Sequence, residues 1–528
     1  MDILGQYRDS DGYIRLQRKN PYLSLEPQKP SLKLRFSPNK SKEIILRHGH
    51  IAITDYHMGD NWEFEKFLSV WDKRRYKYRF VGGYYITQLK ELRINRGFNL
   101  KKLHSFFPQY KFRIDNDAYP SEKIDVVLYA GPKSDFQKVA MTFMAGQGEY
   151  HRNSRYTQQM ISAATGAGKT YLGVTASAFL SSRAVIIVPF SKLLEQWRNS
   201  YLDFTDIKAD QILIVEGSKD CKKILDGKYQ NIKIFIIMVD TIVSFVERYG
   251  DLAAIDMFAA MNSYIKIVDE VHRDLKAQSM IEALCNFKMN YYLSASPGRT
   301  DRKEDWIFNT LYYNLPKFGE AFERQDEKHI NILIKKYYFT PTQKQINKIV
   351  DRRTGMNTLM YERLLCDSTN TERSSFEQAL QTMLCWSKGI VPAENKIMIL
   401  GKTIAFIEYI QTIAEEIFPG DTALYHGSLK SEEKQAALKS HVIIATSSSL
   451  GTGADIQGLQ HCYNCGTYSG KIEAVQTAGR LRKLKDPSQQ SVYIELVNYG
   501  WKKTVAQYEK RKPFLIKRSK SGKLIVIN

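Results

Sequence analysis

Two successive series of short, largely apolar runs, separated by amphipathic stretches, constrain the fold of this chain more than any other feature. The first series comprises AVIIVP, IKIFIIMV, YIKIVDE and NYYLSAS, and the second KIMILG, HVIIATS and QSVYIELV. A run that is apolar on both faces of the strand has little solvent face, so it belongs in a parallel sheet covered by helices on both sides. Two series predict two doubly wound α/β domains in tandem. The first begins after Gly131, and HINILIKKYYF, just before Pro341, marks the passage to the second.

The N-terminal part has another texture. SLKLRF, EIILRHGHIAIT and KYRFVGGYYIT alternate with turn signals and predict a small α+β accessory domain. The expected division is 1–128 for this domain, 129–326 and 327–500 for the two α/β domains, and a basic tail over 501–528. At 528 residues the chain is too long for one ordinary domain. The accessory part contains a dense basic and aromatic stretch, DKRRYKYRFVGGYY, in which core packing of the tyrosines is the favoured reading.

Lys and Arg total 77 against 56 acidic residues, a formal net charge of +21, which suits a polyanionic partner such as nucleic acid better than an acidic metabolite. No apolar run approaches the roughly 18 to 20 residues that span a bilayer. The opening MDILGQYRDSDGY has no apolar secretory segment, so a cytoplasmic protein is expected. The six cysteines form no dense framework, and reduced thiols are expected. Cys462 and Cys465 have metal-ligand spacing without a second close pair, and read as small apolar residues near a strand.

Chemistry enters at AATGAGKT, residues 163–170. The stretch fits a phosphate-binding loop in which Ala163 replaces the first glycine. Thr165, Gly166, Ala167 and Gly168 would turn the backbone so that successive N–H groups meet phosphate oxygens, with the charge of Lys169 beside them and the Thr170 hydroxyl as a Mg²⁺ ligand. The helical stretch TYLGVTASAFL follows at once, its N-terminal dipole favouring the same anion. About a hundred residues on, YIKIV runs into Asp269 and Glu270. Carboxylates at a strand end lie where phosphates bind in such sheets. Asp269 is the expected Mg²⁺ holder and Glu270 the group that orients and deprotonates the attacking water.

AATGAGKT, then DEVH at 269–272, SASPGR at 294–299, VIIATSSSLGTGADIQGL at 442–459 and QTAGRLRK at 476–483 occur in one order. With this ordered set the chain resembles superfamily 2 helicases over residues 131–500, and in its texture phage UvsW-type branch-migration helicases. The resemblance implies two tandem RecA-like domains with ATP between them, and Gln137 as the adenine-recognising glutamine. It further implies Ser294, Ser296 and Gln476 as coupling residues, Gly453 and Asp455 as nucleotide contacts, and Arg480 as an arginine finger. The family's second finger position holds Lys483, with Arg482 one place earlier; the guanidinium fork of Arg482 suits the role better. The family's nucleic-acid contacts map to Pro189, Phe190, Gln196, Thr241, Gly401, Lys402 and Thr446, whose polar groups and loop N–H donors would hold phosphates without reading bases. Trp197 reads as packing rather than stacking. The implied activity is an ATP- and Mg²⁺-dependent DNA helicase acting on single-stranded, forked or branched DNA, with an RNA helicase or a duplex translocase as alternatives. A monomer in the cytoplasm, that of the host for a viral chain, is the implied setting.

Overall fold

The computed structural model describes the two short strands Tyr7–Arg8 and Ile14–Arg15 and residues 41–527, except 73–74, 164–166, 295–301, 320–328, 352–354, 368–373, 450–455, 467–477, 479–480, 482–483, 485 and 487. The chain forms two compact units, Met1–Ala321 and Phe322–Asn528.

The first unit contains two sheets. Its N-terminal sheet has five strands, β1 (Glu43–Leu46), β2 (His50–Ile53), β3 (Tyr84–Ile86), β4 (Glu91–Asn95) and β5 (Lys111–Ile114), in the order β3-β4-β2-β1-β5. All pairs are antiparallel except β1 with β5. A separate two-stranded ribbon pairs Ser69–Asp72 with Lys77–Phe80. The second sheet is the parallel one expected from the apolar runs. It comprises β6 (Gln158–Ser162), β7 (Ala184–Val188), β8 (Ile212–Val215), β9 (Ile234–Met238), β10 (Ile265–Val268), β11 (Met289–Ser294) and β12 (Lys317–Phe318). Their order is β8-β9-β7-β10-β11-β6-β12, with every neighbour parallel.

The second unit repeats that design. Its strands are β13 (Ile330–Tyr337), β14 (Lys396–Gly401), β15 (Thr422–Tyr425), β16 (Val442–Thr446), β17 (Leu459–Asn464), β18 (Ser491–Asn498) and β19 (Ile525–Ile527). Their order, β15-β16-β14-β17-β18-β13-β19, places third, fourth, second, fifth, sixth, first and seventh strands side by side, as in the first parallel sheet. The two RecA-like domains are therefore the same topology built twice, although no repeat is visible in the sequence. Cys462 and Cys465 are buried on and just after β17.

Of the stretch 501–528, expected as a basic tail, the described residues 501–527 are folded into the second unit. Helix Lys502–Arg518 buries Tyr508 and Leu515 in the core beside Tyr493 and Val497, and β19 pairs with Leu333–Lys335. The buried Arg511 guanidinium is held by Glu495, its Nε donating at 3.1 Å. The charge is thus partly structural: apolar residues on one helical face bury it while the lysines stay in water.

The accessory sheet shares its core with the first parallel sheet. Ile51, Leu92 and Phe98 lie in one buried apolar cluster with Ile281, Leu284 and Phe287. Polar bonds cross the same seam: Arg93 Nη1 donates to Ala283 O at 2.8 Å, and Ser279 Oγ to Val81 O at 2.8 Å. At Gly49 the backbones come so close that an added Cβ would lie 2.1 Å from Cys285 O.

Candidate nucleotide site

Because all strands of the first parallel sheet run the same way, their C-terminal ends gather along one edge, and the motif residues sit there. Ala163 follows β6, Pro189 follows β7, Asp269 follows β10 and Ser294 ends β11. Backbone bonds tie these ends together: Ala163 N–H donates to Ser294 O at 3.0 Å, and Asp269 N–H to Ile187 O at 2.9 Å.

Helix α1 (Lys169–Leu180) starts directly from the loop. Its residues from Tyr171 to Leu180 are all buried, so the helix is locked and its first turn is fixed at the sheet edge. Gly168 caps it with φ of +90°, in the left-handed region that suits glycine. An added Cβ there would also lie 2.1 Å from Gln137 Nε2, so the position is closed twice over. Lys169 Nζ donates to Ala163 O at 2.8 Å. Gln196 Nε2 donates to the Thr170 hydroxyl at 3.3 Å.

Gln137 is engaged with the loop in this structure. Its Nε2 donates to Ala167 O at 3.3 Å and its Oε1 accepts from Lys133 N–H at 2.7 Å. One bond is made at each end of the amide, which fixes its orientation at the loop while a second N–H and a second lone pair remain in its capacity.

Asp269 is buried, and one of its carboxylate oxygens accepts from Trp197 Nε1 at 3.0 Å while the other accepts from Glu270 N–H at 2.9 Å. Burial, and then the neighbouring Glu270 charge, push the Asp269 carboxyl up to about 6, against the opposing pull of Lys169 and the Trp197 N–H. Trp197 is fully buried, its ring filling the space above Gly173, where an added Cβ would lie 2.4 Å from Cη2. Glu270 has φ of +50°, an uncommon conformation for a side chain of its size. Its Oε2 lies 3.4 Å from His272 Nδ1, which in turn is 2.9 Å from Ser294 Oγ. Glu270 Oε2 and Ser294 Oγ thus both face His272 Nδ1, and the hydrogen bond is the one to Ser294.

Phe190 is half-buried with Lys192 and Arg273 against its ring, at 5.8 and 5.5 Å from the centroid. Thr241 stands in the first turn of helix Val239–Tyr249. In the second unit, Gly401 and Thr446 end neighbouring strands β14 and β16. Two details there differ from the expectation of outward donors. Glu362, buried on helix Thr358–Cys366, accepts the Lys402 N–H at 3.0 Å and the Thr403 N–H at 2.9 Å; Thr446 Oγ1 donates to Ser449 Oγ at 2.6 Å. The reason is that a buried carboxylate needs donors, and the turn after β14 supplies them. Burial still pushes the Glu362 carboxyl up to about 7. Thr165, Gly166, Ser296, Gly453, Asp455, Gln476, Arg480 and Arg482 lie outside the described residues.

Trp197, Glu362 and His272 were not among the expected site residues. Trp197 and Glu362 meet their partners 72 and 40 residues away in sequence, and nothing local announces such a bond. His272 lies within the DEVH stretch, but its contact to Ser294 is set by the pairing of β10 with β11.

Residues 134–299 match the family described as "Type III restriction enzyme, res subunit". The chain carries an ATP-hydrolysing helicase motor of superfamily 2. Over 87% of its length the helicase is 22% identical to the "DNA 3'-5' translocase XPB2" of Sulfurisphaera tokodaii, covering 97% of that protein. It is 23% identical to the "Transcript termination protein A18" of Fowlpox virus over 63% of its own length and 68% of that protein. In fold it is similar to the "ATP-dependent Type ISP restriction-modification enzyme LlaBIII bound to DNA", with a TM-score of 0.51 and 14% identity over 76% of the helicase and 32% of that chain. Among the described residues, no helix is long and apolar enough to cross a membrane.

Proposed function

We propose that this helicase is an ATP- and Mg²⁺-driven DNA motor that unwinds or remodels forked or branched DNA. The observation that supports the reading most is that Lys169, Thr170, Asp269 and Glu270 lie at one edge of a single sheet, with the His272–Ser294 hydrogen bond behind them. In this reading the N–H groups of Thr165 to Gly168 hold the phosphates and Lys169 adds its charge where negative charge grows during transfer. The Thr170 hydroxyl and the Asp269 carboxylate are hard oxygen donors suited to Mg²⁺, which supplies charge neutralisation of the phosphates when bound. Glu270 orients a water and takes its proton. Arg480, with Arg482 as the second finger, stabilises the transferring phosphoryl group, and Gly453 and Asp455 contact the nucleotide. Gln137 recognises adenine. Ser294, Ser296 and Gln476 relay the nucleotide state to Pro189, Phe190, Thr241, Gly401, Lys402 and Thr446 on the strand.

The net charge of +21 favours a nucleic acid of either kind, and the similarity to a DNA translocase over 87% of the chain favours DNA. That similarity also carries the second reading, a duplex translocase that moves without separating strands. Strand displacement decides between them. ATP-dependent release of a labelled strand from a fork or four-way junction is the expected result, with weaker turnover on RNA. ATP turnover on duplex DNA with no strand released would establish the translocase instead.

A further inference from the structure

The accessory ribbon carries a surface that the motor does not use. Large aromatic side chains normally bury, yet here Trp62 is 59% exposed, Trp71 48%, Tyr78 50% and Tyr76 66%. The expectation that the tyrosines of this stretch pack in a core is therefore corrected for Tyr76 and Tyr78. The physical reason is that Ser69–Asp72 and Lys77–Phe80 form an isolated pair of strands, so the outer strand has no covering layer and all of Lys77, Tyr78 and Arg79 stay exposed.

Trp62, Trp71 and Tyr78 are linked to one another by ring contact or through a shared cation. Trp71 and Tyr78 meet edge to face at 5.0 Å between centroids. Lys66 Nζ lies over both Trp62, at 4.6 Å, and Tyr78, at 5.3 Å. The next residue, Phe67, packs edge to face on Trp306 at 4.6 Å, and Lys303 Nζ sits 3.9 Å from the centre of the Trp306 ring. Lys102 joins them 4.3 Å from the Phe67 centroid. Burial and the adjoining Lys102 charge push the Lys303 ammonium below its ordinary value, a crowding that an anion would relieve. Several nearby acids are already engaged: Glu304 pairs with Arg79 at 3.1 Å, and Glu65 accepts from the Tyr56 hydroxyl and the Gly59 N–H.

We infer that Trp62, Trp71 and Tyr78, with Lys66, Lys102 and Lys303, form a stacking platform for the unpaired bases of a single strand. Flat rings offer their faces to any base, and interleaved ammonium groups meet the phosphates between successive bases. A duplex hides its base faces inside its stack and would gain only the charge. The platform thus selects the single-stranded arm of a fork, which the motor's backbone-directed grip does not distinguish from other strands. The inference rests on the proposed nucleic-acid function.

The test uses the full chain and two labelled strands of equal length, one of oligothymidylate and one of abasic sugar-phosphate, with affinity read by fluorescence anisotropy. The expected result is that the wild type prefers the base-bearing strand by about tenfold or more, that Trp62→Ala with Trp71→Ala removes most of the preference, and that Trp62→Phe with Trp71→Phe retains it. Basal ATP turnover of the alanine variant should equal that of the wild type, which confirms that the variant is folded. A wild type without preference, or an alanine variant that keeps it, overturns the platform and leaves the helicase reading intact. Failure of the wild type to bind either strand overturns both.

Discussion

Asp269 and Glu270 are neighbours given different tasks by their surroundings. Asp269 is held by the Trp197 and Glu270 N–H groups, whereas Glu270 is held in a left-handed backbone conformation with His272 beside it. Glu270→Gln should keep ATP bound and slow single-turnover hydrolysis by about a hundredfold or more, because an amide can orient water but cannot accept its proton. Unchanged single-turnover hydrolysis would remove Glu270 from the catalytic role. The Asp269 carboxyl, pushed up to about 6, gives the pH dependence its sign. Below the ordinary carboxylate range both folded and unfolded chains carry the proton, and no charge is buried at this group. As pH rises through about 6 the folded protein must hold a buried charge, so this residue's contribution to stability falls across that window. In the nucleotide-free protein, the loss of denaturant stability from about pH 4 to 7 should therefore be smaller for Asp269→Asn than for the wild type. An equal loss in both would contradict the assignment.

At the scale of elements, the seam between the accessory sheet and the first parallel sheet makes a clean excision of residues 1–128 improbable. Glu282 is buried there; one oxygen accepts from Lys266 Nζ at 2.6 Å and the other from the Tyr292 hydroxyl at 2.6 Å, with Asn95 of β4 at 3.5 Å. Glu282→Ala would leave the Lys266 ammonium buried without its partner, and should cost about 3–5 kcal/mol in urea unfolding. A loss below about 1 kcal/mol would mean that water reaches the seam. The parallel strands and the helix that starts at Lys169 were legible because an apolar run and a Gly-rich turn before a helix are local signals. The seam was not legible, since Arg93 and Ala283 lie 190 residues apart. Nor was the exposure of Tyr76 and Tyr78: alternation separates two faces only when one is covered, and the ribbon has no covering layer on its outer strand. The folded C-terminal helix was obscured by its lysines, which hide the spacing of Tyr508 and Leu515.

For the whole molecule, the net charge of +21 and two motor domains built on one topology point to a protein that grips a polyanion and works on it through ATP. Cations that replace counterions on phosphates release those ions to the solvent, whatever the base sequence. Affinity for a mixed-sequence single strand should therefore fall by about a hundredfold or more between roughly 50 and 200 mM salt, and vary little between sequences. A shallow salt slope with strong preference for one sequence would contradict this. The most direct test of the motor is steady-state ATP turnover with and without single-stranded DNA, in the wild type and in Lys169→Ala. The account predicts turnover that the strand stimulates, and its loss in Lys169→Ala while the strand still binds; turnover indifferent to nucleic acid, or surviving without the Lys169 ammonium, would contradict it.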